Sequence, residues 1–220
     1  MLHFETTVGA HWLNRSDCRV CIIDDDEAIR ESLRLLLFAE GLKACLFESA
    51  EAFLHDVSCD TFACMLLDIR MPGMDGLELF QILKKGTMDY PVIFITGHGD
   101  IPLAVSAIKQ GAYDFLTKPF MEGELLKKIH AAIEHHYSLR ERLHKWQEYR
   151  DRVGQCTPRE QDVMRLLVSG LTNKGIAETL GISPRTVEIH RAHMMEKMQA
   201  ESVPALVRMV SLLDNSEAVE

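Results

Sequence analysis

The chain contains no apolar run approaching the length of a membrane span. Its opening, "MLHFETTVGAHWLNRSD", has neither a basic start followed by an apolar core nor an amphipathic Arg-rich pattern. A membrane partner and an export signal are therefore not expected, and residues 1–17 are expected to form a loose tail. Cysteines at paired metal-site spacing are missing too. Of the six (Cys18, Cys21, Cys45, Cys59, Cys64 and Cys156), only Cys18 and Cys21 form a C-x-x-C, and Cys21 sits inside an apolar run. A structural role is preferred to redox or zinc chemistry, and the set reads as the reduced thiols of a cytoplasmic protein. An overall positive charge is absent as well. The net charge is −9, and between Lys174 and Arg208 five basic residues (Lys174, Arg185, Arg191, Lys197, Arg208) face four acids (Glu178, Glu188, Glu196, Glu201). Any nucleic-acid role must therefore rest on geometry. No internal repeat or low-complexity tract is visible.

What is present is 220 residues of ordinary globular composition, 47% hydrophobic and 26% charged, a comfortable length for two domains. The first two-thirds alternates short apolar runs with helical patterns. Strands are expected at "RVCIID" (19–24), "KACLF" (43–47), "FACMLLD" (62–68), "PVIFIT" (91–96) and "YDFLT" (113–117). Between them Ile29, Leu33, Leu36 and Leu37 recur at helical spacing, as do Leu77, Phe80 and Leu83, and then Leu103, Ala107 and Ile108. This alternation implies an α/β domain, a doubly wound parallel sheet with helices on both faces. One long helix is expected from about Glu122 to Arg152, with a stripe of Leu125, Ile129, Ile133, Tyr137, Leu143 and Trp146. Its His130, His135, His136 and His144 are read as a solvated helix face rather than a metal site.

The polar residues of the sheet fall at one end. Asp24 and Asp25 end the first strand, Asp68 the third and Thr96 the fourth, and Lys118 follows the fifth. In an open parallel sheet, ligands bind outside the carboxyl ends of the strands. Carboxylates without a thiol or an obvious histidine suit a hard divalent cation, Mg²⁺ (or Mn²⁺), before Zn²⁺. A carboxylate can itself be a nucleophile that forms an acyl phosphate. Thr96 and Lys118 would then bind the phosphoryl oxygens. Asp26 and Glu27 are assigned to the first turn of the following helix. Taken singly, Asp68 is a strand-end residue, Lys118 a surface lysine and Phe115 a core ring; the ordered set is what carries the signal.

"IIDDDEAIR", "LLDIRMPGMDG", "FITGHGD" and "FLTKPF" resemble the receiver domain of two-component response regulators over roughly Val20 to Ile133. The resemblance implies a flavodoxin-like, five-stranded fold of order 2-1-3-4-5 and a cis Lys118–Pro119 peptide. It implies Asp68 as phosphoacceptor, with Asp25, Asp68 and the backbone carbonyl of Arg70 as direct Mg²⁺ ligands and Asp24 acting mainly through a water ligand. Thr96 and Phe115 correspond to the switch pair, and Lys118 to the phosphate-pairing lysine. His98 is given no role.

The last third is helical in pattern. "TPRE" reads as a capping box, with Thr157 as cap, Pro158 at the first position and Glu160 three residues on. "TNKGIAETLGISPRTVEIHRAHMMEKM" has a short helix, a turn at Gly181 and a second helix, which is helix-turn-helix spacing. Val187, His190, Met194 and Met198 are expected to face the core. Arg185, Thr186, Glu188, Ile189 and Ala192 would face the major groove, and Lys174, Arg191 and Lys197 the phosphates. Pattern alone leaves a plain helical packing domain equally open. Thr157 to Leu213 also resembles the LuxR/FixJ DNA-binding domain, with "SPRTVEIHRA" resembling the FixJ branch. Glu188 departs from the basic residue of the NarL branch, so NarL site preference is not carried over. In such domains the last helix, with Val203, Leu206, Val207 and Val210, is expected to carry a dimer contact.

The resulting expectation is a tail (1–17), a receiver (18–137), a linker helix (138–153) and an all-α, LuxR-type helix-turn-helix domain (154–220). The protein would be a response regulator transcription factor rather than an enzyme. A sensor histidine kinase would phosphorylate Asp68, and the phosphorylated homodimer would bind promoter double-stranded DNA, with RNA polymerase as a further contact. Two rivals stand beside it: a regulator whose C-terminal helical segment binds a protein partner, and an aspartyl-phosphate phosphohydrolase, for which no substrate-specificity insert is visible.

Overall fold

A computed structural model describes residues 18–56, 62–86, 90–97 and 101–216, without the side chains of 215 and 216. The expected tail (1–17) and most of the "GHGD" loop lie outside the described residues. The chain divides into two compact units, residues 1–139 and 140–220.

In the first unit the elements run β1 (Arg19–Ile23), α1 (Glu27–Ala39), β2 (Lys43–Phe47), α2 (Ala50–His55), β3 (Cys64–Asp68), α3 (Gly76–Lys85), β4 (Val92–Thr96), α4 (Ile101–Lys109) and β5 (Asp114–Thr117). The strands form one parallel sheet in the order β2-β1-β3-β4-β5. Successive side chains point to opposite faces of a strand, and the two cores follow that period. Cys21, Ile23, Met65, Leu67 and Phe94 join one cluster with Leu79 and Phe80 of α3. Val20, Ile22, Cys64, Leu66, Ile93 and Ile95 join the other, with Leu33 and Leu37 of α1 and with Leu125 and Ile129 from the next helix. Both faces are covered, so the interiors of the three central strands β1, β3 and β4 are apolar.

Helix starts are fixed locally. Asp26 caps α1, accepting from the Ala28 and Ile29 amides, and Glu27 lies in its first turn. Asp75 and Glu78 form a capping box on α3. Each such cap is worth about 1 kcal/mol. Asp24 falls just past β1, because its Oδ1 accepts from the Asp26 amide at 2.9 Å and turns the chain.

α5 (Glu122–Gln155) is one unbroken helix, as expected from about Glu122 to Arg152, and residues 138–153 form its C-terminal part. His130, His135 and His144 are exposed, as expected of a solvated face, but His136 is buried. It sits four residues after Ala132 and three after Ile133, on the stripe that packs against the sheet. Leu143, expected on that stripe, is exposed. Cys18, Cys21, Cys64 and Cys156 are free and buried, whereas Cys45 is disulfide-bonded, which corrects the expectation of a wholly reduced set. Spacing alone carries no information on pairing.

The second unit adds α6 (Pro158–Val168), α7 (Asn173–Leu180), α8 (Pro184–Met198) and α9 (Val203–Ser216). The Thr157–Glu160 capping box opens α6, Gly181 ends α7 with φ 65°, and Ser183 caps α8. Val163, Ile176, Val187, Met194, Met198 and Leu206 make its core. Val203 and Val210 pack against that same core, and Leu206 is fully buried within it. α9 therefore faces inward at Leu206, which corrects that residue's place in the expected dimer contact, while Val203 and Val210 keep part of their surface exposed. Val207 is half-buried.

Candidate functional site

At the carboxyl end of the sheet, Asp24 is fully buried, Asp68 nearly so and Asp25 exposed, and one oxygen of each lies within 4.8 Å of the others. Lys118 Nζ donates to Asp24 Oδ2 at 2.8 Å and to Asp68 Oδ2 at 2.7 Å. The Lys118–Pro119 peptide is cis, as the resemblance implied. Asp68 Oδ1 accepts from the Arg70 amide at 3.2 Å, in the turn leaving β3. Burial pushes the Asp68 carboxyl above the ordinary carboxylate range and neighbouring Asp24 adds to this, against the pull of Lys118. Burial works against the Lys118 ammonium, but its hydrogen bonds to both acids prevail and hold its pKa above the usual lysine value. Three clustered carboxylates, of which only Asp24 and Asp68 bond the Lys118 ammonium, are chemically suited to a hard cation that would supply further positive charge.

Thr96 is fully buried, and its Oγ1 donates to the Gly97 carbonyl at 3.1 Å. Phe115 is half-buried against the first core cluster, paired in register with Phe94. The Lys118 amide donates to the Thr96 carbonyl at 2.7 Å, which ties the β5 exit to the β4 end. The structure thus gathers Asp24, Asp25, Asp68, Thr96 and Lys118 at the carboxyl end of the sheet, with Arg70 in the adjoining turn and Phe115 behind.

Two supporting residues were not singled out from sequence. Arg30, one turn into α1, donates to the Asp24 carbonyl at 2.7 Å and holds the end of β1. Gly76 starts α3 so close to β3 that a Cβ would collide with the Asp68 carbonyl oxygen. Its amide donates to the Ile69 carbonyl at 3.0 Å. The Asp-Gly pair of "MPGMDG" was the available signal.

In the second unit, Arg185, Glu188, Ile189 and Ala192 are exposed on α8, with Thr186 half-buried beside the Ser183 cap. Arg185 and Glu188 pair at 3.0 Å on this surface. Ile189 is 45% exposed, an apolar side chain for which the fold of the unit gives no reason. Lys174 is exposed at the start of α7. Arg191 is half-buried and donates to Asn173 Oδ1 at 3.1 Å. Lys197 differs more from its expected role, because its Nζ lies 2.7 Å from Oε2 of Glu160, which is buried. That ion pair joins α8 to α6, so Lys197 serves packing before any phosphate. The hydrogen bond from Lys197, helped by the Thr157 amide, holds the Glu160 carboxyl below its usual range.

Residues 20–130 match the response regulator receiver domain, and residues 155–210 match the bacterial regulatory proteins of the luxR family. The chain is 45% identical to the transcriptional regulatory protein FixJ of Bradyrhizobium diazoefficiens, covering 86% of this chain and 93% of that protein. The chain belongs to the response regulators. This response regulator is also 43% identical to the response regulator protein TodT of Pseudomonas putida, over 90% of this chain and 87% of that one. Among solved structures it is similar to the response regulator StyR, with a TM-score of 0.77 at 39% identity over 89% of this chain and 98% of that one. It is similar also to full-length FixJ from B. japonicum, with a TM-score of 0.58 at 43% identity over 90% and 97%. These relatives are regulators and not enzymes, and with its receiver and LuxR-type domains the chain is a phosphorylation-dependent transcription factor. Among the described residues, no helix is long and apolar enough to cross a membrane.

Proposed function

We propose that this response regulator is phosphorylated on Asp68 by a sensor histidine kinase and that the phosphorylated form is a cytoplasmic homodimer that binds promoter DNA. The observation that carries this reading is the convergence of Asp24, Asp25, Asp68 and Lys118 at the carboxyl end of a parallel sheet. An oxygen of Asp68 attacks the phosphorus, the bond from phosphorus to the kinase histidine breaks, and an acyl phosphate forms. Asp24, Asp25, Asp68 and the Arg70 carbonyl would hold Mg²⁺ (or Mn²⁺), which supplies charge neutralisation for the carboxylates and the arriving phosphoryl oxygens. Lys118 then exchanges its carboxylate partner for a phosphoryl oxygen, and Thr96 turns its hydroxyl from Gly97 toward another. The rotation of Thr96 leaves room that Phe115 fills, and this biases the receiver surface.

On the DNA side, Arg185, Thr186, Glu188, Ile189 and Ala192 would read base edges in the major groove, while Lys174 and Arg191 contact phosphates. Lys197, assigned to phosphates from sequence, acts here through its packing on Glu160. The exposed Ile189 supports this reading over a purely packing role for the C-terminal helical segment. Dimerisation would set two α8 helices on adjacent half-sites, where RNA polymerase is a further contact. The test is to phosphorylate the full chain with a small acyl phosphate and Mg²⁺, trap the acyl phosphate by borohydride reduction, and map the modified residue. Reduction at Asp68 supports the assignment, and reduction at any other carboxylate overturns it.

A further inference from the structure

The C-terminal turn of the recognition helix is unusual. Gln199, its C-cap, has φ 53° and ψ 36°, and among the described residues it is the only non-glycine with positive φ. An L side chain in the left-handed region is strained unless its surroundings hold it there. The backbone closes part of this turn, the Gln199 amide donating to the Glu196 carbonyl at 2.9 Å and the Ala200 amide to that of Met195 at 3.0 Å, and Arg152, near the end of α5, braces it from outside. Its Nη1 donates to the Met198 carbonyl at 2.9 Å and its Nη2 to Gln199 Oε1 at 2.8 Å. The guanidinium is itself fixed by Glu148 at 2.5 Å and packs over the Tyr149 ring. It is only 15% exposed, so these are committed contacts and not a passing surface pair.

We propose, on the reading that α8 is the DNA-recognition helix, that Arg152 is a positioning residue for DNA binding, clamping the recognition helix by its C-terminal turn to the long helix that begins in the receiver. The opposite end of α8 carries Arg185, Glu188 and Ile189, all exposed, so the helix is gripped at one end and reads with the other. Its 15 residues make a lever about 22 Å long, on which a 10° turn at the clamp carries the reading end about 4 Å. That displacement exceeds the tolerance of a hydrogen bond to a base edge. α5 is continuous from Glu122 to Gln155, so a reorientation of this helix on phosphorylation reaches α8 through Arg152.

The test uses the full chain as wild type, Arg152→Met, Gln199→Gly and the double variant. The probe is a duplex selected by the wild type from a random-sequence pool, bound with and without beryllofluoride and Mg²⁺. The reading is the gain in DNA affinity that the phosphoryl mimic produces. Gln199→Gly relieves the left-handed strain, so it restores the thermal midpoint lost in Arg152→Met. The gain is expected to persist in Gln199→Gly alone and to shrink at least fivefold in both Arg152→Met and the double variant. An unchanged gain in Arg152→Met, or its recovery in the double variant, overturns the positioning role and leaves Arg152 a stability residue. Failure of the wild type to select any duplex overturns instead the DNA reading on which the proposal rests.

Discussion

Lys118 Nζ lies 2.7 Å from Asp68 Oδ2 while also holding Asp24 at 2.8 Å. One ammonium therefore supplies these two carboxylates with positive charge of the kind that a divalent cation would bring. Removing it leaves two buried carboxylates without their cation. Lys118→Met is expected to bind Mg²⁺ about tenfold more tightly, because the ion no longer competes with a resident charge. Calorimetric titration checks this, and equal or weaker binding contradicts it. The same variant is expected to accept phosphoryl groups yet show no gain in DNA affinity.

Gly76 and Asp68 are coupled through the backbone and not through side chains. Gly76→Ala would force a Cβ onto the Asp68 carbonyl oxygen, which cannot swing away as a side chain can. We expect a loss of about 3 kcal/mol or more in urea unfolding. A change below about 1 kcal/mol would show that β3 and α3 separate freely.

The Glu160–Lys197 pair gives the second unit a pH signature. The carboxyl is held below its usual range, chiefly by Lys197. A depressed folded pKa means that its stabilisation is present above the unfolded value, about 4.3, and is lost as pH falls through the folded one. Thermal midpoints of this unit should therefore drop in that acid window, and Glu160→Gln should flatten the drop. At neutral pH the same substitution should cost about 1–3 kcal/mol. An unchanged acid profile in Glu160→Gln would remove Glu160 from the account.

Lys174 and Lys197 should separate in their dependence on salt. A side chain that neutralises a DNA phosphate contributes roughly one unit to the slope of log affinity against log salt. Lys174→Gln is expected to lower that slope by about 1. Lys197→Gln should leave it unchanged, because that ammonium is already bound to Glu160. Filter-binding across a salt series distinguishes them, and a lowered slope for Lys197→Gln would return it to the phosphate contacts.

The strand order, the Thr157 cap, the Gly181 turn and the acidic end of the sheet were legible from sequence because each depends on local pattern or on a motif set, whereas Asp26, assigned to the first turn of α1, proves to be its cap. Continuous apolar strands announced burial on both faces, and the clustering of carboxylates at strand ends announced their convergence. What escaped depends on contacts between distant segments. Lys197 looked like a basic groove residue because Glu160, its partner, is thirty-seven positions away. His136 passed for a surface histidine because three neighbours of its kind are exposed. Leu206 belongs to an apolar stripe that fits an interface or a core equally well, and only the packed helices place it in the core. Arg152 carried no signal at all, since the strained Gln199 that gives it meaning is invisible without backbone angles.

The most direct test of the central claim is the DNA affinity of wild type and Asp68→Asn, each measured with and without a small acyl phosphate and Mg²⁺. The wild type is expected to bind at least about tenfold more tightly when phosphorylated, a gain of about 1.4 kcal/mol, while Asp68→Asn keeps its basal affinity and gains nothing. A full gain in Asp68→Asn, or none in the phosphorylated wild type, would contradict the account.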